Sequence, residues 1–426
     1  MKKWLALLLA ALLCLGLAAC AAPESAKTEE PLVFAVASDL HYIAPSLTDR
    51  GALFTAVAEN GDGKLILYSE EILEAFTEEM LRLRPDALIL SGDLSFNGEY
   101  ESLAALTEKL ARIEAGGTRV LVIPGNHDVN NYRSAGYSGE SFYFVDDCSP
   151  AEFRELFADF GYDEALSLDE GSGSYVAELR ADLRVLMLDT NSVRINAFPE
   201  ESLAWLEEQL GDAQSSGARV LAVCHQNLLM HNEQFIAGYR VSNAAAICEL
   251  LERYGILASL SGHMHIQHLS RGAFPELLSS SLALPPNRYG VLCWDGESLR
   301  YEAASVDVER WARESGQTDE SLLRFSETAR DFFWQNAYRQ AADRYADGSL
   351  PSGDVERLAA LFADTNLAYF TGERVDRAAL AEGIEYWKTL DEGFHFSYLE
   401  SILNDPGEDP LSVTLWEKPV DEAPEA

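Results

Sequence analysis

The sequence predicts an α/β domain over residues 32–305 followed by a small all-helical domain over 306–416, and three observations carry that prediction. Near-continuous apolar runs recur between residues 32 and 263: LVFAVASD, DALILSGD, RVLVIPGN, LRVLMLDT, ARVLAVCH and GILASLSGH. Runs of this kind suit strands buried inside a sheet that is covered on both faces. Helix-period segments lie between several of them, at 70–83, 99–114, 200–210 and 243–254, and this alternation lays helices over a sheet. After residue 306 the texture changes. Leu322, Phe325, Ala329 and Phe332/Phe333 fall three or four apart, and no strand-like run occurs before the extreme end.

The finer elements follow in order. Residues 174–180 and 183–189 read as a hairpin, so the sheet system is mixed, and 290–294 with 298–303 read as a second hairpin closing the domain. Turn clusters at 348–353 and 371–372 divide the later region into about four helices. Residues 417–426 read as a disordered tail. At the other end, residues 1–19 read as a targeting segment, with Lys2 and Lys3 ahead of an apolar stretch from Leu5 to Leu17. That stretch is shorter than the roughly 20 residues of a membrane span. It ends in Leu17-Ala18-Ala19-Cys20, which resembles the lipobox of bacterial lipoproteins, where the cysteine becomes the lipidated first residue. A secretory signal cut near Ala19 is the alternative. Residues 20–31 are small, polar and Pro-punctuated, as a tether should be. The expected location is the bacterial cell envelope, lipid-anchored on the outer side of the cytoplasmic membrane, with the anchor as the one membrane contact.

Charge excludes one class of function. The formal net charge is −38, the isoelectric point is about 4.4, and no Lys/Arg cluster occurs, which speaks against a nucleic-acid polymer as partner. A cationic site inside an acidic shell is still allowed, because bound metals bring their own charge. Beyond Cys20 only Cys148, Cys224, Cys248 and Cys293 follow the targeting segment, with no zinc-like spacing and no disulfide framework.

The chemistry collects at strand ends. The first run ends in Ser38-Asp39-Leu40-His41, the second in Gly92-Asp93, and the third in Gly125-Asn126-His127-Asp128. A later run ends in His225, and the last in Gly262-His263-Met264-His265. Sites in open α/β sheets form beyond the carboxyl ends of strands. Five of the chain's eight histidines belong to this set, whereas structural histidines scatter. Imidazoles mixed with carboxylates suit Zn, Mn or Fe. The donors outnumber what one ion uses, and Asp93, alone at its strand end, is a candidate bridge between two ions roughly 3.5–4 Å apart.

In order and spacing these five motifs resemble the calcineurin-like metallophosphoesterases, over about 270 residues. The resemblance implies a four-layer αββα sandwich with a site for two divalent metal ions (Mn, Fe or Zn) at one edge. Carried over, it gives Asp39, His41, Asp93 and His265 to one ion, and Asp93, Asn126, His225 and His263 to the other. His127 becomes the acid that protonates the leaving oxygen, with Asp128 orienting its ring. The segment SDLHYIAPSLTDRG, the sequence after GDLSFNGE and the helical region further resemble bacterial cyclic-nucleotide phosphodiesterases of this superfamily. The expected function is hydrolysis of a small phosphoester, most specifically a cyclic nucleotide, with no protein partner. A phosphomonoesterase or a hydrolase of another phosphodiester, such as a glycerophosphodiester or an envelope lipid head group, is the alternative; a non-catalytic metal-binding lipoprotein is more remote. His231 and Arg133 are candidates for substrate contact. Tyr289, in PPNRYG, either stacks on a base or packs against the sheet.

Overall fold

The computed structural model describes residues 30–390, 393–405 and 408–419. The targeting segment, Cys20 and most of the tether lie outside these residues.

The apolar runs form two sheets. β1 (Leu32–Ala37), β2 (Ala87–Leu90) and β3 (Arg119–Val122) pair in parallel, so their carboxyl ends share one edge. A short hairpin of β4 (Ala135–Ser138) and β5 (Ser141–Phe144) stands outside both main sheets. The second sheet comprises β6 (Ser167–Leu168), β7 (Tyr175–Arg180), β8 (Leu183–Leu188), β9 (Arg219–Cys224), β10 (Ala258–Ser261), β11 (His268–Arg271) and β12 (Pro275–Leu278). Its spatial order is β11-β12-β10-β9-β8-β7-β6, and β8, β9, β10 and β12 are parallel. β13 (Arg288–Trp294), β14 (Ser298–Ser305) and β15 (Ser412–Glu417) return to the first sheet, in the order β15-β14-β13-β1-β2-β3. The hairpins expected at 174–189 and 290–303 are β7–β8 and β13–β14.

Strand periodicity decides what each face meets. Successive side chains point to opposite faces, and β8 divides accordingly. Leu183, Val185 and Met187 join a core shared with Val36, Leu88 and Leu121 of the first sheet. Leu186 and Leu188 join a separate core on the other face. Helices α1 (Ala52–Glu59), α2 (Ser69–Leu83) and α3 (Tyr100–Ala115) belong to the first half of the chain. Ile72, Leu73, Phe76 and Met80, at helical spacing, are the buried stripe of α2. α4 (Pro150–Leu156) is short and opens with a capping box on Ser149. α5 (Leu203–Ser216) and α6 (Ala244–Tyr254) cover the second sheet, with Leu206, Leu210, Ile247 and Leu251 in its outer core. Two sheets face to face with helices outside make the fold a four-layer α/β sandwich.

The helical region contains α7 (Val308–Glu314), α8 (Glu320–Leu323), α9 (Phe325–Asp343), α10 (Ser352–Thr371), α11 (Arg377–Lys388) and α12 (Phe394–Asn404). Gly372, in the left-handed region at φ 67°, ends α10 as the turn signal at 371–372 implied. Its core includes Leu358, Phe362, Trp387 and Leu399, and also takes in Met264 and Ile266 from the loop after β10.

One segment departs from the sequence reading. Residues 412–416, assigned there to the helical unit, and Glu417, assigned to the tail, form strand β15 on the edge of the first sheet beside β14. The pairing joins residues more than a hundred positions apart, so no local pattern announces it. Leu415 is buried on this strand. Leu415→Ala should lower unfolding stability by about 2 kcal/mol or more; urea denaturation measures this, and a wild-type midpoint would contradict the buried placement.

Candidate metal centre

Each candidate side chain sits just past a carboxyl strand end. Asp39 and His41 follow β1, Asp93 follows β2, and Asn126, His127 and Asp128 follow β3. His225 follows β9, and His263 and His265 follow β10. Because the sheets face each other with these ends at the same edge, the two sets converge. Asp39, His41, Asp93 and His265 form one group of donor atoms, and Asp93, His225 and His263 a second.

The first group is tight. His41 Nε2 lies 3.1 Å from His265 Nε2, and His265 Nε2 lies 3.2 Å from Asp39 Oδ1. His41 Nε2 is 3.9 Å from both Asp39 Oδ1 and Asp93 Oδ2. In the second group His225 Nε2 is 3.3 Å from Asp93 Oδ1 and 3.1 Å from Asn126 Oδ1. The two oxygens of Asp93 therefore face different groups. Backbone carbonyls fix the ring nitrogens: His225 Nδ1 bonds Ser91 O at 2.9 Å, which leaves Nε2 for the group. His263 Nε2 bonds Gly238 O at 3.0 Å, which leaves Nδ1.

The donor set fits two divalent cations. Asp39 Oδ1 is buried and has no hydrogen-bond partner, an arrangement that costs stability unless something positive faces it. Glycine permits the close approaches. A Cβ at Gly125 would overlap Asp93, and one at Gly262 would overlap Ser38 and Asp39. Backbone conformation points the same way. Asp39, His41, Asp93, His263 and His265 all have positive φ, between 44° and 66°. They are five of the ten non-glycine residues with positive φ among the described residues. Each such conformation costs about 1–3 kcal/mol and tends to cluster at functional sites.

Electrostatics follows from burial and proximity. Burial alone raises the carboxyl of Asp93, but His225 and His127 outweigh it and hold Asp93 well below the usual range. Burial disfavours charge on His225, yet Asp93 outweighs that and lifts the imidazole to about 9. Burial and the charge of His225 push His263 down to about 4. Burial, then the nearby ammonium of Lys64, push His41 well below the ordinary value.

Some sequence assignments need correction. Asp128 does not orient His127. Its carboxylate accepts from the backbone N–H groups of Leu94, Ser95 and Gly125 at 2.8–3.0 Å and from Ser95 Oγ at 2.8 Å. It ties the turn after β2 to the turn after β3. The His127 ring is held instead by the Phe96 carbonyl, 2.7 Å from Nδ1. His231 is not at the cleft. It is buried between Glu276, 3.3 Å from Nε2, and His268, 2.9 Å from Nδ1. Arg133 is exposed, with its guanidinium over the Tyr132 ring, and does not line the cleft. Tyr289 is a buried residue of β13 whose ring packs against Phe76 of α2, so it is a packing residue and does not stack on a base.

Lys64 is the cleft residue that the sequence reading missed. It lines the same cavity as Asp93, Asn126, His127 and His265, with its ammonium 2.9 Å from Asp62. Nothing in NGDGK distinguishes a site loop from a surface turn. The loop is placed by α9: Asn336 Nδ2 donates to Glu59 O at 2.9 Å, Gln340 Nε2 donates to Gly61 O at 3.1 Å, and Phe333 packs on Gly63.

A family model described as calcineurin-like phosphoesterase matches residues 32–267, more than half of the chain. The chain belongs to the calcineurin-like phosphoesterases. A second model, described as the C-terminal domain of cyclic nucleotide phosphodiesterase, matches residues 307–409. A probable cyclic nucleotide phosphodiesterase of Vesicomyosocius okutanii subsp. Calyptogena okutanii is 25% identical over 198 residues, 45% of this chain and 68% of that protein. A cAMP/cGMP dual specificity phosphodiesterase of Mycobacterium tuberculosis is 26% identical over 200 residues, 46% of this chain and 52% of that protein. Among solved structures, a dimetal phosphatase from Danio rerio is 12% identical with a TM-score of 0.47, over 64% of this chain and 96% of that one. By its family this chain is a metallophosphoesterase, with a candidate ligand set at the edge where its two sheets converge.

The raised pKa of His225 gives metal binding a pH dependence. Below about 9 the imidazole is protonated, and an ion has to displace that proton. Apparent Mn²⁺ affinity should therefore rise about tenfold per pH unit from 7 to about 9 and then level. Calorimetric titration in buffers of different ionisation enthalpy counts the proton, and release of none at pH 7 would contradict this.

Proposed function

We propose that this phosphoesterase is a phosphodiesterase that hydrolyses cyclic nucleotides. The observation that carries the reading is the pairing, in one chain, of the strand-end donor set with a helical region matching the C-terminal domain of cyclic nucleotide phosphodiesterase.

Asp39, His41, Asp93 and His265 would hold one divalent ion, and Asp93, Asn126, His225 and His263 would hold the other; Mn, Fe and Zn all suit this set. When bound there, two such ions would supply positive charge to the phosphoryl oxygens and make water a better nucleophile. Asp93 keeps the two donor groups in register through its divergent oxygens. The Phe96 carbonyl keeps a proton on His127 Nδ1, so Nε2 is the atom presented to the cleft. Protonated there, His127 donates to the leaving alkoxide, which in a cyclic nucleotide opens the ring to a monoester. Lys64, paired with Asp62 in the same cavity, brings an ammonium to the cleft that receives the anionic ester. The same lysine supports a second reading, a phosphomonoesterase, because a dianionic monoester profits from further cationic donors. The enzyme acts in the cell envelope, anchored through lipid on Cys20. That location rests on the lipobox-like sequence; among the described residues no helix is long and apolar enough to cross a membrane.

Kinetics on 2′,3′- and 3′,5′-cyclic AMP beside p-nitrophenyl phosphate and a short RNA tests the reading. Cyclic nucleotides should have the highest kcat/KM, and a win for the monoester or the RNA would overturn it. Asp93→Ala should lose both ions and all activity while keeping its circular dichroism spectrum; two metals per chain by elemental analysis would contradict the shared carboxylate. His127→Ala should keep its metals and lose about 10²–10⁴-fold in turnover. Its loss should be smaller for nitrophenyl than for alkyl leaving groups, and equal losses would argue against an acid.

A further inference from the structure

We propose that the helical region completes the substrate site with a slot for the nucleobase, lined by Phe235, Tyr239, Phe394 and Tyr398 and read by the amide of Asn366. The inference rests on the cyclic-nucleotide reading and names what confers its specificity.

The cavity at the candidate metal centre does not end at the ligands. It encloses about 320 Å³ and continues from Asp93, Asn126 and His127 onto α9, α10 and α12. That is near the lower end of small-ligand sites, roughly 300–1,000 Å³, and suits one nucleotide. A run of rings leads away from the ligands. Tyr239 lies 5.4 Å from His263 between ring centroids, Phe235 lies 4.9 Å from Tyr239, and Phe394 and Tyr398 lie 6.1 and 5.4 Å from Phe235. Phe394 is 53% exposed although it is a large apolar ring, and it lines this cavity. A ring left open to water beside a phosphoester site is a stacking surface for a flat apolar group.

Asn366 supplies direction. Its Oδ1 accepts from the Tyr398 hydroxyl at 2.8 Å, which orients the amide, and the side chain lines the cavity with its NH₂ unpartnered among the described residues. A donor beside aromatic faces matches a base, whose ring stacks while an acceptor on its edge takes the hydrogen bond. The described residues of this wall carry no cation that would hold a second phosphate. Phosphate at the metal end and base at the aromatic end therefore orient one mononucleotide along the cavity. Phe394 and Asn366 contact the base and neither touches the reacting phosphorus.

The test compares two substrates that share the reacting ring. One is 3′,5′-cyclic AMP; the other is the same cyclic ribose phosphate with a methyl group in place of adenine. Phe394→Ala should raise KM for cyclic AMP about tenfold or more, the scale of one base–aromatic stack, with kcat nearly unchanged. The ratio of kcat/KM between the two substrates should fall by the same factor, and Phe394→Trp should restore it. Asn366→Ala should lower the ratio for adenine and leave Mn²⁺ stoichiometry intact. A ratio that stays constant in Phe394→Ala and Asn366→Ala, whether both activities fall together or neither falls, overturns the slot. If the wild type cleaves no cyclic nucleotide, the functional reading fails separately, and inhibition of bis-p-nitrophenyl phosphate turnover decides the slot. Competitive inhibition by adenosine that Phe394→Ala weakens upholds it. No inhibition by adenosine, or inhibition by glycerophosphocholine alone, overturns it in favour of an empty wall or a quaternary-ammonium cage.

Discussion

The carboxylate of Asp93 is the point on which both sheets must agree. One oxygen lies 3.9 Å from His41, which follows a strand of the first sheet, and the other lies 3.3 Å from His225, which follows a strand of the second. Asp93 Oδ1 also accepts from the His127 backbone N–H at 2.8 Å. Such a junction exists only if the facing sheets end level with each other, and the shared core between β8 and the β1–β3 strands sets that level. The backbone then has to turn sharply at each strand end. Asp39 N bonds Gly92 O, His41 N bonds Asp93 O, and His263 N bonds Asp39 Oδ2, so the left-handed residues are held from several sides. Strain of this kind persists only where the surroundings over-determine it.

The helical region is built into this junction rather than appended to it. Along 263–266 the side chains alternate: His263 and His265 face the donor groups, while Met264 and Ile266 enter the helical core beside Phe362 and Trp387. The helical core and the donor groups therefore share alternate residues of one short segment. Along the same cleft, α9 grips the turn that carries Lys64 through the amides of Asn336 and Gln340. The helices thus buttress the metal end and also wall the cavity beyond it.

Charge acts at two scales. The chain as a whole carries −38, which disfavours approach of long polyanions at low ionic strength. Inside the cleft the balance is local: Lys64 is offset by its partner Asp62, and any ions held by the donor set would offer positive charge over a few ångströms. A small phosphoester meets mainly the local field, whereas a polymer extends into the repulsive one.

The sequence by itself determined the strands, because runs apolar on both faces have no stable place outside a covered sheet. It also determined the donor set, because Asp, His and Asn recurring at successive strand ends have one edge on which to meet. Gly92, Gly125 and Gly262 could be read from the chain, but their reasons could not: Gly92 lies against His225 and the Gly125 backbone, Gly125 against Asp93, and Gly262 against Ser38 and Asp39. Contacts between distant segments were decided by tertiary structure alone. Asp128 lies next to His127 in the chain, yet its oxygens are taken by Leu94, Ser95 and Gly125, and the ring is left to the Phe96 carbonyl. His231 and Arg133 are close in sequence to the motifs, but one is drawn into a buried pair with Glu276 and the other faces solvent. Lys64, strand β15 and the aromatic wall reach the site or the sheet from far along the chain. Local periodicity encodes which face of an element is apolar; it carries no information about which distant face will cover it.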